Sequence, residues 1–420
     1  MLYKIPRLYD SHGHFLATGQ FASGLHLGSL QKAEDLASVD ENNPAFLRGE
    51  WLVGFGWNEK HWPTPPHKDL LDKLFPNRAV FFARKDGHRS WVNSKALEYF
   101  GIQSENGILI EKDHLRAWDQ LPNYTKTQQR AHILSACKEY NKGGFTHVRD
   151  LTCSESLWNL LVEMSDSKEL TVALEENYTT HDLNDLDHML ALCLQAKKAE
   201  TSYLRMKGIK LFYDGTLGSQ TAYLSKPYYG KTSEGQGSAL WPLEQVEEVI
   251  KKTWAAGLEF SVHVIGDQAA HDMVALARKI SAAGAVGRLN LEHAQILRPE
   301  TIQMMKPLHV RCHMQPCHWL SDQVWLKEKL SDLYRYVFPW EALKNAQIPM
   351  SFGCDAPVEP PSFWRNKKAL DESVAAGIKK FTGDIAVIHS HPDKNFADSY
   401  SVIEDGIVKE IVFDGRRLEL

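Results

Sequence analysis

Eight short runs rich in β-forming apolar residues recur along this 420-residue chain, each ending in polar turn residues. They are Arg7–His12, Phe145–Leu151, Leu170–Glu175, Met206–Tyr213, Leu258–Val264, Arg288–His293, His309–Gln315 and Ile348–Cys354. Between most of them lie stretches with helical spacing, at Thr127–Lys142, Ser154–Ser165, Leu183–Glu200, Leu243–Ala255 and His271–Ala283. Leu243, Val246, Val249 and Ile250 fall on one helical face. The length alone would also admit two or three small domains. Strands alternating with helices pair in parallel, and eight of them predict an α/β fold of the (β/α)8 TIM-barrel type over residues 1–380.

The connection after the first run, about residues 15–126, is far too long for a βα crossover. It carries β-like pieces at Trp51–Trp57 and Ala79–Arg84 and is rich in tryptophan and histidine (Trp51, Trp57, His61, Trp62, His88, Trp91). One reading makes it an inserted subdomain with its own small core. The other makes it a lid over the mouth it leaves from. After about Phe381, Gly383–Ile388 and Glu404–Gly415 read as short strands with tight Asp-Gly turns, a reduced β-sandwich remnant over 381–420.

A formal charge of −5 and a pI near 6.4 leave no basic footprint for nucleic acid. The longest apolar runs, such as Arg78–Ala83, are too short to cross a bilayer. The N-terminal residues show no signal-peptide core, so the cytoplasm is the expected location. A homodimer is compatible with this chain. The six cysteines do not form a small disulfide framework, and Cys312 to His318 lacks the CxxC knuckle of a zinc finger.

The chemistry-bearing residues sit at the ends of these runs. His12 and His14, two apart in an extended segment, present two imidazoles to one side, as a divalent metal requires. Lys210 stands in an apolar strand, His263 in another, His293 ends a third, and Asp355 lies at a Pro-terminated turn. A buried lysine is costly unless its charge is paired or removed. Carbamylation by carbon dioxide would convert it to a carboxylate-like ligand. Each residue has a structural alternative: Lys210 could pair with Asp214, Asp355 could cap a turn, and the histidines could be core residues bonded to backbone.

Together these residues resemble the amidohydrolase superfamily, in its YtcJ-like amidohydrolase family 3 branch. The resemblance runs from about Asp10 to Pro360. It rests on DSHGH at Asp10, GFGWNEKHWP at Gly54, RKDGHRSWVNSKAL at Arg84, IKLFYDGTLGSQTA at Ile209, HVIGDQA at His263, LEHAQIL at Leu291 and CDAPVEP at Cys354. It implies a centre of one or two divalent ions, zinc foremost, held by His12, His14, His263, His293 and Asp355, with carbamylated Lys210 as a bridge. Asp355 would shuttle the proton. Trp57, His88 and Trp91 of the insertion, with Gln315 and His318 after the seventh run, are the expected substrate contacts. The family usually carries a β-sandwich from both chain ends, and here the N-terminal half is expected to be missing. Two departures are Asn58, where an acidic residue is frequent, and Cys354, where serine or threonine is usual.

Three function classes follow. The first is a metal-dependent hydrolase cleaving a C–N bond of a small amide or cyclic amide. The second is a mononuclear deaminase of the same superfamily, which usually has a glutamate three residues after the strand-five histidine; here that position is Gly266 and Asp267 comes one residue late. The third is a non-catalytic ligand-binding barrel.

Overall fold

The computed structural model describes residues 1–180, 182–231 and 235–420. They divide into two compact units, 1–15 with 137–420, and 16–136.

The first unit is a parallel eight-stranded barrel. Its strands are β1 (Tyr9–Gly13), β2 (His147–Cys153), β3 (Ala173–Thr179), β4 (Leu204–Phe212), β5 (Glu259–Val264), β6 (Leu289–His293), β7 (Val310–Met314) and β8 (Met350–Phe352). Each pairs in parallel with the next along the chain. Backbone bonds join the two ends of the sheet: Asp355 N–H donates to His12 O and His14 N–H to Ala356 O, both at 2.8 Å. The Asp10 carboxylate reinforces this seam, accepting from Cys354 N–H at 3.0 Å and His12 N–H at 3.2 Å. The backbone at Gly353 passes so close that a Cβ there would lie 2.6 Å from His12 N. Only glycine fits, so closure of the barrel depends on that position.

Helices follow the strands as the spacing predicts. The helix after β2 spans Glu155–Asp166 and is capped by Ser154, whose side chain accepts from Leu157 N–H. The helix Leu243–Ala255 buries Val246, Val249, Ile250, Thr253 and Trp254, one continuous stripe against the sheet. The third strand corrects the sequence reading, which placed it at Leu170–Glu175. The apolar run Leu170–Leu174 suggests an earlier start, whereas the strand continues through Glu175, Glu176 and Asn177, all buried. Polar residues extend this strand because the barrel interior is itself polar. Asn177 donates to Asp150 O at 3.0 Å, and Tyr9 O–H donates to Glu175 at 2.8 Å.

Leu2–Pro6, Ser399–Glu404, Ile407–Phe413 and Arg416–Arg417 form an antiparallel four-stranded sheet within the same unit. Two expectations are corrected here. Leu2–Pro6 supplies an N-terminal strand, paired along its length with Ser399–Glu404. Ile385–Ile388, read as strand, is a short helix, because Asp384 caps it through Ala386 N–H.

The second unit is built on a six-stranded sheet whose longest strands are Trp51–Trp57 and Val80–Arg84. Alternate residues feed two separate cores. Trp51, Val53, Phe55, Phe81, Ala83 and Val92 enter one; Leu52, Val80, Phe82 and Trp91 enter the other. Gly56, at φ 95°, interrupts the register between Phe55 and Trp57 and turns Trp57 into the second core.

Two buried histidines in the barrel unit give a pH expectation. His147 donates through Nε2 to Phe396 O at 3.0 Å, and His389 through Nδ1 to Tyr9 O at 3.0 Å. Burial pulls their pKa values down to about 3 and about 4. The unfolded chain takes up protons below the ordinary value of about 6.5 while the folded chain does not. Their contribution is therefore complete above about pH 6.5 and is lost as pH falls toward 4. A His147→Gln variant, unable to take up that proton, should lose less stability across this window than the wild type in denaturant titrations. Equal losses would contradict the assignment.

Candidate metal centre

The expected ligands assemble where β1, β4, β5, β6 and β8 end. His12 and His14 lie at the end of β1, on the same side as alternation requires, with ring centroids 5.6 Å apart. Barrel closure carries Asp355 to them: its Oδ1 lies 3.3 Å from His12 Nε2 and 3.1 Å from His14 Nε2. His293 completes the inner group, its ring 4.6 Å from that of His12 and 4.5 Å from that of His263. One ligand atom each from His12, His293 and Asp355 lie within 4.8 Å of one another, and all three residues are buried. His293 and Asp355 adopt left-handed backbone angles, φ 68° and 59°. Such conformations are costly outside glycine and cluster where function demands them.

Hydrogen bonds set which ring atom faces the cluster. His12 Nδ1 lies 2.6 Å from Glu292 Oε2. His14 Nδ1 lies 3.4 Å from Thr152 Oγ1, whose hydroxyl donates to Asp150 and so accepts from the ring. His293 Nδ1 donates to Gln315 Oε1 at 2.9 Å. In His12, His14 and His293 Nδ1 thus carries a proton, and Nε2 is the ring atom that faces the cluster. His263 is reversed: its Nε2 donates to Gly215 O at 3.1 Å, which leaves Nδ1.

The charges follow from this packing. Burial pushes the Asp355 carboxyl up, but proton-bearing His12 and His14 facing it outweigh that and hold it well below the usual carboxylate range; the same pairing, against burial, raises the pKa of His12. Burial, then the neighbouring His263 and His12, holds His293 well below the ordinary histidine value and therefore neutral. Lys210 is fully buried, with Nζ 4.3 Å from the Phe212 ring centroid and no hydrogen-bond partner among the described residues. Burial lowers its pKa to about 8, against the opposing pull of Glu292 and Asp355. The alternative partner, Asp214, is taken up by Tyr223, Ile265 and Gly266 N–H groups at 2.8–3.0 Å.

A divalent ion fits this donor set. The His12 and His14 Nε2 atoms converge on one Asp355 oxygen at 3.1–3.3 Å. His12 Nε2 and Asp355 Oδ1 are buried without a well-aligned hydrogen-bond partner among the described residues. Only a cation or a proton satisfies such a point, and the mixed imidazole–carboxylate chemistry suits a divalent metal.

The expected substrate contacts fare differently. His318 belongs to the cluster: its ring stacks at 5.9 Å on His293, and Nε2 lies 3.6 Å from Asp355 Oδ2. Gln315 lies against the cluster and bonds His293. Its oxygen holds His293, and its amide donates to His313 O at 3.0 Å. Trp57 and Trp91 are 1% and 0% exposed in the second core of the 16–136 unit. They pack on Trp62 there, and Trp57 Nε1 donates to Phe82 O at 2.7 Å. His88, in the same unit, pairs with Glu111 at 2.9 Å. Sequence reasoning missed Glu292 and Arg149. The glutamate directly before His293 was the available signal.

A parallel barrel whose strand ends gather four histidines and an aspartate into one cluster has the form of a metal-dependent hydrolase. The chain matches the amidohydrolase family over residues 3–383 and belongs to it. It is 28% identical over 379 residues to YtcJ, a protein of Bacillus subtilis (strain 168) assigned as an amidohydrolase. That alignment covers 84% of this chain and 70% of YtcJ. It is 27% identical over 389 residues to Protein LONG AFTER FAR-RED 3 of Arabidopsis thaliana, covering 84% of this chain and 66% of that protein. Among solved structures it resembles an uncharacterized metal-dependent hydrolase from Pyrococcus horikoshii OT3 at 25% identity and TM-score 0.72, over 91% of this chain and 76% of that one. No helix among the described residues is long and apolar enough to cross a membrane.

Proposed function

We propose that this chain hydrolyses a C–N bond in a small amide or cyclic amide, using zinc held by His12, His14, His263, His293 and Asp355. The observation that carries the reading is the convergence of the His12 and His14 Nε2 atoms on the Asp355 carboxylate. Lys210, buried without a hydrogen-bond partner among the described residues, is read as a carbamate. Its neutral amine bonds to the carbon of carbon dioxide and releases a proton, replacing a costly buried ammonium with an anionic oxygen ligand. The cytoplasm is the proposed location.

A bound divalent ion supplies a water acidified to a pKa of about 7 and polarises the scissile carbonyl. Asp355 accepts the proton of the attacking water and returns it to the leaving nitrogen. His318, stacked on His293 beside Asp355, is placed to hydrogen-bond the carbonyl oxygen as charge develops there. The products are an acid, or a related carbonyl compound, and an amine.

Two observations weigh against a deaminase. A Cβ on Gly266 would lie 1.9 Å from Tyr223 O, so that position has no room for a glutamate. Asp267 is held by Arg298 at 3.1 Å and by Ser225 N–H at 2.9 Å. The test is a turnover screen of N-acyl and cyclic amides with the zinc-loaded protein. Turnover should vanish on chelation, return with zinc, and in Lys210→Ala recover partly with short-chain carboxylates. Amide turnover indifferent to chelation, or none from zinc-loaded protein across the panel, would overturn the reading.

A further inference from the structure

The barrel interior below the cluster holds a buried ion pair that ligation does not use. Arg149, on β2, reaches across to three other strands. Its Nη1 lies 2.7 Å from Glu292 Oε1 and 3.3 Å from Ser11 O, and its Nη2 lies 2.5 Å from Ser261 Oγ. The other oxygen of Glu292 lies 2.6 Å from His12 Nδ1. Arg149 is 1% exposed, and Glu292 and His12 are fully buried. We infer that Arg149 and Glu292 are positioning residues that fix His12 with its proton on Nδ1 and its Nε2 lone pair aimed at the metal.

The geometry supports this on three grounds. A carboxylate paired with a guanidinium can only accept, so the hydrogen between Glu292 and His12 belongs to the ring. The same Arg149 nitrogen that holds Glu292 also holds the carbonyl of Ser11, so the backbone before His12 and the ring itself share one anchor. Glu292 and His293 are neighbours, and side chains in an extended strand alternate sides. The left-handed angles at His293 and Ala294, φ 68° and 44°, end the strand so that one residue ligates while the one before it orients another ligand. A buried ion pair is poor value for stability alone, since well-packed neutral replacements are often neutral or better. Partners of ligating histidines, by contrast, commonly tune metal affinity by about 10- to 100-fold.

The inference rests on the metal reading above, and the experiment separates the two. In full-length protein stripped of metal and labelled with 15N-histidine, NMR should show His12 protonated at Nδ1, its signals identified by their loss in His12→Gln. Zinc affinity is then measured by chelator competition for the wild type and for Arg149→Met/Glu292→Gln, which removes both charges together. The double variant should fold and bind zinc about 10- to 100-fold more weakly, with an altered visible spectrum when loaded with cobalt. Arg149→Lys, keeping the charge but not the fork, should lie between. Wild type that takes up no zinc overturns the metal reading itself. His12 bare at Nδ1, or a folded double variant with wild-type zinc affinity and cobalt spectrum, overturns the positioning role. If the double variant does not fold, the tautomer measured on the wild type decides.

Discussion

Asp355→Asn should leave the barrel folded and lower turnover about a hundred- to ten-thousand-fold on whichever amide the screen identifies. The fold should survive because the contribution of this residue to barrel closure comes from its backbone: N–H donates to His12 O, and its carbonyl accepts from Val358 N–H. Asparagine preserves both bonds and nearly the same shape. It removes the ability to take a proton from water and hand it on. Against burial, His12 and His14 hold the native carboxyl ionised, ready to accept, and no amide can substitute for that. Steady-state kinetics with far-ultraviolet circular dichroism on the same preparation checks both halves. Near-wild-type turnover in Asp355→Asn would pass the shuttle to another group, His318 first among them, since its Nε2 lies 3.6 Å from Asp355 Oδ2.

The second large effect concerns the ligands themselves. His12 and His14 occupy alternate positions of β1, and barrel closure brings Asp355 to both. Removing both imidazoles leaves His263, His293 and Asp355 on strands that no longer share a focus with β1. The site should then lose its metal, and with it most turnover.

The candidate ligands were legible in the sequence because each lies in or beside a recognisable strand, and the family resemblance gathers them into one set. Alternation puts His12 and His14 on one side, and each remaining candidate ends or lies in a recognisable apolar run. What holds those ligands was not legible. Glu292 and Arg149 lie on β6 and β2, and nothing in either run announces that the two meet across the interior. The same polar interior displaced the predicted third strand, since Glu175, Glu176 and Asn177 read as a strand end while the barrel buries them. Trp57 and Trp91 looked like pocket material from composition, but the face a tryptophan takes depends on register, and the bulge at Gly56 reverses it for Trp57. The pairing of Leu2–Pro6 with Ser399–Glu404 joins opposite ends of the chain and leaves no local pattern to read.

The account stands or falls on metal held by the β1 histidines. Elemental analysis of the full chain, purified without chelator, should find one or two equivalents of divalent metal, zinc foremost. A folded His12→Ala/His14→Ala variant prepared in parallel should have lost it. Stoichiometric metal persisting in that variant, or a folded wild type that takes up no divalent ion when supplied, would contradict the account.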